Sequence, residues 1–390
     1  MLARGPRHVI RRPLTAARLL IVGAVVGATV AVGHGAAAAY PHFQLTSGTD
    51  TCGACHVAPS GGGPLSEWGR GEAGDTLARG GDGGFLHGLV TLPAWLDVAG
   101  DLRLAALVND TGDPGGAERA VFPMQAELAV HAAGGAWHVV ADAGVLGAIR
   151  RSAAMTDGGP AAPWLVSSAH YVMWRPAERG AYARAGKLAV PYGLRLADHT
   201  TYVRRQLGLG LYQEPYALSA GYLGGRWDVH VTAFVADPWR GRPGREVGGA
   251  ALVERRAGPW VVSGSAMATD AVDERRARLG LTAARWLAPA ALYALAEIDG
   301  GWQRVPTLDR AQVTGYAGLA WLPTRGVVVG GAYQLDDVEL GRAGDTRHAI
   351  DLWSTFMPIA HVELGVTGRY QWIGPGARAA MALLQVHYSL

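Results

Sequence analysis

The sequence predicts an all-β chain: an antiparallel transmembrane β-barrel of about 16 strands, with a small cysteine-bearing segment ahead of it. Three observations predict this. Apolar and polar residues alternate with period two through most of residues 94–390, the mark of a strand with unlike faces. Short turns and longer polar connections follow one another in alternation, as in barrels with short periplasmic turns and longer external loops. No long uninterrupted apolar run of the kind a membrane helix needs is present beyond residue 94; the nearest, 281–298, is broken by Arg285 and Pro289.

The alternation assigns faces. Leu96, Val98, Leu102, Leu104, Ala106 and Val108 share one face, opposite Asp97, Asp101 and Arg103. Val362, Leu364, Val366, Tyr370 and Trp372 oppose His361, Glu363, Thr367, Arg369 and Gln371. A soluble sandwich also alternates, but over about 5–6 residues per strand. A tilted strand that crosses a bilayer needs about 9–11, which matches the runs here. Segments are expected to start near 95, 122, 136, 164, 180, 217, 226, 247, 259, 276, 290, 311, 326, 346, 360 and 378. Longer external loops are expected near 109–120, 151–163, 197–215, 237–246, 269–275, 301–310, 337–347 and 374–376. Tryptophans at segment ends suit interfacial girdles. Asp101, Arg103, Glu127, Asp142, Asp228, Glu297, Glu363 and Arg369 are expected to face the lumen, where they hold a plug, guide ions or keep a pore wet.

Composition narrows the class. Hydrophobic residues make up 49% and charged residues 17% of the 390, too apolar and too weakly charged for a disordered chain. A net charge of +3 makes no case for nucleic acid. Residues 1–39 read as a signal peptide. Five arginines precede an apolar run at 19–32, and Ala37-Ala38-Ala39 follows as a small-residue cleavage pattern. That run is shorter than the ~20 residues of a membrane span. The mature chain is expected to start near Tyr40, outside the cytoplasm.

The only two cysteines, Cys52 and Cys55, lie in TCGACH, followed by His56. A disulfide between them would close too small a loop to stabilise much. C-x-x-C-H is the attachment motif of c-type haem: two thiols form thioethers to the haem vinyl groups, and the next histidine becomes the proximal iron ligand. A thioredoxin-like pair would want a βαβ pattern, which is absent. A zinc site would need further ligands. The distal position is open. His87 in GGFLHG is the first candidate and His42 in YPHF the second; no methionine lies in 40–93, and a water-ligated iron is the remaining option.

With Cys52, Cys55, His56 and the downstream Pro64-Leu65…Gly69-Arg70 element, the chain resembles the fused outer-membrane monohaem cytochrome–porins, best known from iron-oxidising bacteria. The residue-level match covers roughly 50–70, and the Gly-rich 71–84 stretch departs from the family's pattern. The resemblance implies a signal peptide (1–39), a monohaem c-type cytochrome segment (40–93) and an outer-membrane barrel (94–390), with the haem segment in the lumen or at its periplasmic mouth. It implies electron transfer across the outer membrane between a soluble periplasmic cytochrome and an extracellular redox partner or metal ion. Two alternatives stand beside it: a transport porin whose haem segment is a sensor or gate, and a peroxidase-like haem enzyme.

Overall fold

The computed structural model describes residues 51–112, 116–145, 165–210, 213–238, 246–374 and 376–390. The signal peptide, His42 and the loop expected at 151–163 lie outside the described residues, as does most of the one at 237–246. The strands are β1 (Leu96–Asp110), β2 (Glu118–Gly134), β3 (Trp137–Val145), β4 (Leu165–Val166), β5 (His170–Trp174), β6 (Gly180–Lys187), β7 (Tyr216–Leu223) and β8 (Trp227–Val235). They continue with β9 (Val247–Ala257), β10 (Trp260–Ala271), β11 (Glu274–Leu287), β12 (Leu292–Val305), β13 (Leu308–Thr324), β14 (Val327–Asp337), β15 (Arg347–Ile359), β16 (Val362–Ile373) and β17 (Ala377–Ser389). Every pairing is antiparallel, and β17 pairs with β1 to close the sheet. β4 and β5 both pair with β3 and act as one interrupted strand, so the barrel has 16 staves. Asp142 explains the interruption: its carboxylate accepts from the Ser167 hydroxyl and from the Ser168 amide, each at 2.8 Å, drawing the chain off the ladder.

The strand faces follow the alternation, with the polarity of a soluble protein reversed. In β11, Leu279 and Leu281 are 70% and 66% exposed, whereas Arg278 and Thr282 point inward and are buried. Leu102, Leu104 and Val108 of β1 and Leu352 of β15 are likewise exposed outward. An outward apolar band is stable only against lipid. Trp95, Trp137, Trp174, Trp227 and Trp321 are exposed at one end of the strands and Trp302 at the other, as aromatic girdles require. Inside, Gln334, Asp336, Asp351 and Arg369 are all buried.

One end carries tight turns. They join β2 to β3, β7 to β8, β9 to β10, β11 to β12, β13 to β14 and β15 to β16. Gly326 shows why glycine recurs there: its φ is 79°, and an added Cβ would lie 2.3 Å from Arg79 Cγ.

Three of the longer connections differ from expectation. The ladder β10–β11 runs to Ala271↔Glu274, and β12–β13 to Val305↔Leu308, so 269–275 and 301–310 are mostly strand. Cross-strand ion pairs, Arg275–Asp270 at 3.2 Å and Arg304–Asp309 at 2.7 Å, accompany the extensions, and such pairs favour continued pairing. The third, 197–215, is not external. The described residues of 188–215, between β6 and β7, fold into the lumen.

Leu281 lies near the middle of β11 with its side chain outward, so Leu281→Arg places a cation near the bilayer midplane. The variant is expected to lose about 2–4 kcal/mol of folding free energy in vesicles, measured by reversible urea unfolding against the wild type.

Candidate functional site

The cysteine motif forms a single helical turn, α1 (Cys52–Cys55), in which the His56 amide donates to the Cys52 carbonyl at 3.0 Å. Residues three apart on a helical turn share a face, so both sulfurs lie on one side. His56 leaves the turn in extended conformation and pairs with Leu65 in an antiparallel bridge. The Val57 amide donates to the Pro64 carbonyl at 3.0 Å, closing a loop of tight glycine turns. Ser66 ties this unit to the next helix, α2 (Glu67–Glu72). Its amide donates to Cys55 O at 2.8 Å, and its hydroxyl donates to Ala54 O at 2.5 Å and accepts from the Gly69 amide at 3.1 Å. Gly69 is required by close approach: a Cβ would lie 2.2 Å from Cys55 O. His56 Nδ1 is 3.4 Å from the Gly63 carbonyl. A histidine whose Nδ1–H faces a carbonyl presents Nε2 as the ligating nitrogen.

The segment is fixed at the short-turn end of the barrel. Arg70 pairs with Asp97 at 2.7 Å, and Arg175 donates to Gly53 O at 3.3 Å. Arg325 donates to Ala78 O at 2.5 Å and to Gly74 O at 2.7 Å. The Arg79 amide donates to Met357 O and Ala360 N–H to Gly80 O, at 3.0 and 2.8 Å. Val57 packs into the apolar cluster of Val140, Tyr171, Met173, Tyr182 and Leu188.

From within the barrel, the 188–215 loop meets the same motif. Its described residues include a short helix, α3 (Tyr202–Arg205). Leu194, Leu196 and Val203 pack on Tyr293, Leu295, Tyr316 and Val328 of the wall, which is why this stretch folds inward. The wall also takes up its backbone. Gly193 N–H donates to Ser265 Oγ at 3.0 Å, Leu194 N–H to Glu297 Oε2 at 2.9 Å, and Tyr202 N–H to Gln334 Oε1 at 2.6 Å. Arg369 clamps the turn at 198–200: it chelates Asp351 at 2.7 and 2.8 Å, donates to Thr200 O at 3.0 Å and pairs with Asp198 at 3.1 Å.

At the loop's tip Arg195 adopts φ 52°, unusual for a non-glycine residue. Its guanidinium donates to the Ser60 carbonyl, lies 3.6 Å from Cys52 Sγ and pairs with Glu254 at 3.3 Å. Arg256 then bridges Glu254 and Asp228. Burial pushes the Cys52 thiol up, and the Arg195 charge only partly opposes this. A thiolate is therefore disfavoured at that place.

A cavity of about 580 Å³ runs between the two inserts, walled by Cys52, Cys55, His56, Arg195, Leu196 and His199 among others. This lies within the ~300–1,000 Å³ typical of ligand and cofactor sites. Two co-facial sulfurs, a carbonyl-oriented imidazole and an adjoining cavity fit a c-type haem. Among the described residues no group of three or more His, Cys, Asp and Glu is placed to hold a metal ion by itself.

The remaining sequence-derived candidates are placed as follows. Asp101, Arg103, Glu127, Asp142 and Glu363 border the cavity, and Asp228, Glu297 and Arg369 are buried inside the wall. His87 lies at the short-turn mouth, with Nε2 3.3 Å from Tyr388 Oη and its ring edge-on to His361 at 4.6 Å. It is not among the residues that wall the cavity. Arg195 and His199 were not singled out from sequence; the alternation in Leu188-Ala189-Val190 and Leu194-Arg195-Leu196 was the available signal that this loop has an apolar side to bury.

No protein-family model matches the chain, and no curated protein matches it in sequence. Solved structures do match. An anion-selective porin from Comamonas acidovorans superposes with a TM-score of 0.59 at 12% identity, covering 76% of this chain and 99% of the porin. The fold is that of a bacterial outer-membrane porin. OprB of Pseudomonas putida gives 0.57 at 10% identity, over 76% of this chain and 94% of OprB. OmpT of Vibrio cholerae gives 0.54 at 10%, over 77% and 99%. Identities this low speak for the fold alone. The outward apolar band of this porin barrel therefore contacts outer-membrane lipid, and the tight-turn end that holds residues 51–90 is the one such barrels turn to the periplasm.

Removing Arg369 leaves Asp351 buried without its chelating partner. Arg369→Met is expected to cost about 3–5 kcal/mol, read by urea unfolding in vesicles. Adding Asp351→Asn recovers most of the loss, and both variants conduct more ions in planar bilayers because the 198–200 turn is released.

Proposed function

We propose that this barrel carries electrons across the outer membrane through one c-type haem, bound by thioethers at Cys52 and Cys55 with His56 as proximal ligand. The observation that carries the reading is the convergence of the porin-like wall, the inward loop and the C-x-x-C-H turn on one cavity. The haem supplies a one-electron redox centre when bound. The chain's residues do the rest. Gly63 O orients His56, the Gly69 contact seats α2 against the motif, and Arg195 lies over the Cys52 sulfur. Arg70, Arg175 and Arg325 hold the segment across the short-turn mouth, where a soluble periplasmic cytochrome has access. An extracellular redox molecule or metal ion is the partner on the other side.

A second reading is a solute-transport porin in which the 51–94 segment gates the lumen. The likeness to porins, one of them named as anion-selective, favours it.

Proteoliposomes separate these readings. With an enclosed reductant and an external acceptor, the purified protein is expected to pass electrons, and Cys52→Ala/Cys55→Ala to reduce the rate to that of empty vesicles. Equal rates in wild type and variant would sink the conduit reading. Solute-driven swelling in wild-type vesicles without electron flux would establish the transport reading in its place.

A further inference from the structure

The proposed haem needs a partner on the far side of its iron, and the cavity wall offers few. Besides His56, three described histidines border the cavity: His199, His361 and His387. His361 is occupied at both ring nitrogens, Nδ1 by Ser389 O at 2.6 Å and Nε2 by Gly84 O at 3.0 Å. His387 keeps only Nδ1 for another partner, its Nε2 being held by Asp101 at 2.5 Å. His199 is different: its imidazole makes no hydrogen bond with any described residue.

The loop places it within reach. Arg195, four residues earlier, touches the Cys52 sulfur and the Ser60 carbonyl. Four residues of chain span at most roughly 14 Å between Cα atoms, and His199 lines the same cavity as Cys52 and His56. The stretch is anchored at both ends: Leu194 N–H is on Glu297, and Asp198 and Thr200 are on Arg369. His199 therefore sits on a fixed turn and not on a wandering tip.

We infer that His199, on the loop folded into the lumen, is the distal ligand of the haem attached at Cys52 and Cys55. The inference rests on the haem reading above and replaces His87, which is engaged with Tyr388 and His361. Its consequence is a direct link between loop and cofactor: the constriction loop would be held down by the iron from one side and by Arg369 from the other.

Absorption and electron paramagnetic resonance spectra of the purified oxidised holoprotein test it. The wild type is expected to be low-spin with bis-histidine character. His199→Ala is expected to become high-spin and to regain the low-spin spectrum when imidazole is added. His199→Met is expected to keep six ligands but take on the histidine–methionine signature, which a merely structural role would not produce. His87→Ala should leave the spectrum unchanged. A low-spin spectrum of wild-type character in His199→Ala, or its loss in His87→Ala or His42→Ala instead, would overturn the assignment while leaving the haem reading intact. A wild-type preparation without any c-type haem band would defeat the haem reading itself, and this inference with it.

Discussion

Two irregular segments share this lumen, and the barrel wall must satisfy their backbone. Among the described residues of 51–94 and 188–215, helix is confined to the turns at 52–55 and 202–205 and the stretch 67–77. A buried amide or carbonyl left unpaired costs about as much as a lost hydrogen bond. The rest of the site follows from this constraint. Near the tight turns, Arg175 and Arg325 of the barrel donate to the carbonyls of Gly53, Gly74 and Ala78, and Arg195 of the loop donates to that of Ser60. Deeper in, the acceptors Ser265, Glu297 and Gln334 receive the amides of Gly193, Leu194 and Tyr202. The wall thus supplies donors where the first segment shows carbonyls and acceptors where the loop shows amides.

The same wall explains how charged residues are tolerated at this density. Arg369, Asp351 and Gln334 satisfy one another before they touch the loop, and Arg256 does the same between Glu254 and Asp228. A guanidinium offers five donors in a fixed fork, so one arginine can hold a wall carboxylate and still reach a carbonyl of an insert. Arg369 and Arg195 both work this way. These pairs position the inserts. They are weaker as evidence of stability, since buried ion pairs roughly balance their own desolvation.

Much of this was legible in the sequence, for reasons that can be stated. Lipid on one side and a polar lumen on the other impose period two, so starts expected near 95, 136, 180, 247 and 326 meet strands at Leu96, Trp137, Gly180, Val247 and Val327. Cys52, Cys55 and His56 could be picked out as a motif because their spacing is local. The 188–215 loop was not. Its polar residues and glycines look like those of any external connection, and inside against outside is decided by distant partners such as Ser265, Glu297 and Arg369. His199 was passed over for the same reason, as a lone histidine gains meaning only from the cavity it faces. The hairpin tips at 271–274 and 305–308 were read as longer loops because Asp, Arg and Gly there resemble turn residues, while cross-strand pairing carries the ladder on.

The central claim is that the Cys52–His56 turn carries covalent haem inside an outer-membrane barrel. Intact-mass spectrometry of the protein purified from outer membranes and fully denatured tests it most directly. The account predicts a mature chain heavier by one haem, with the added mass on the peptide containing Cys52 and Cys55. A chain of unmodified mass whose two thiols both react with an alkylating reagent would contradict it.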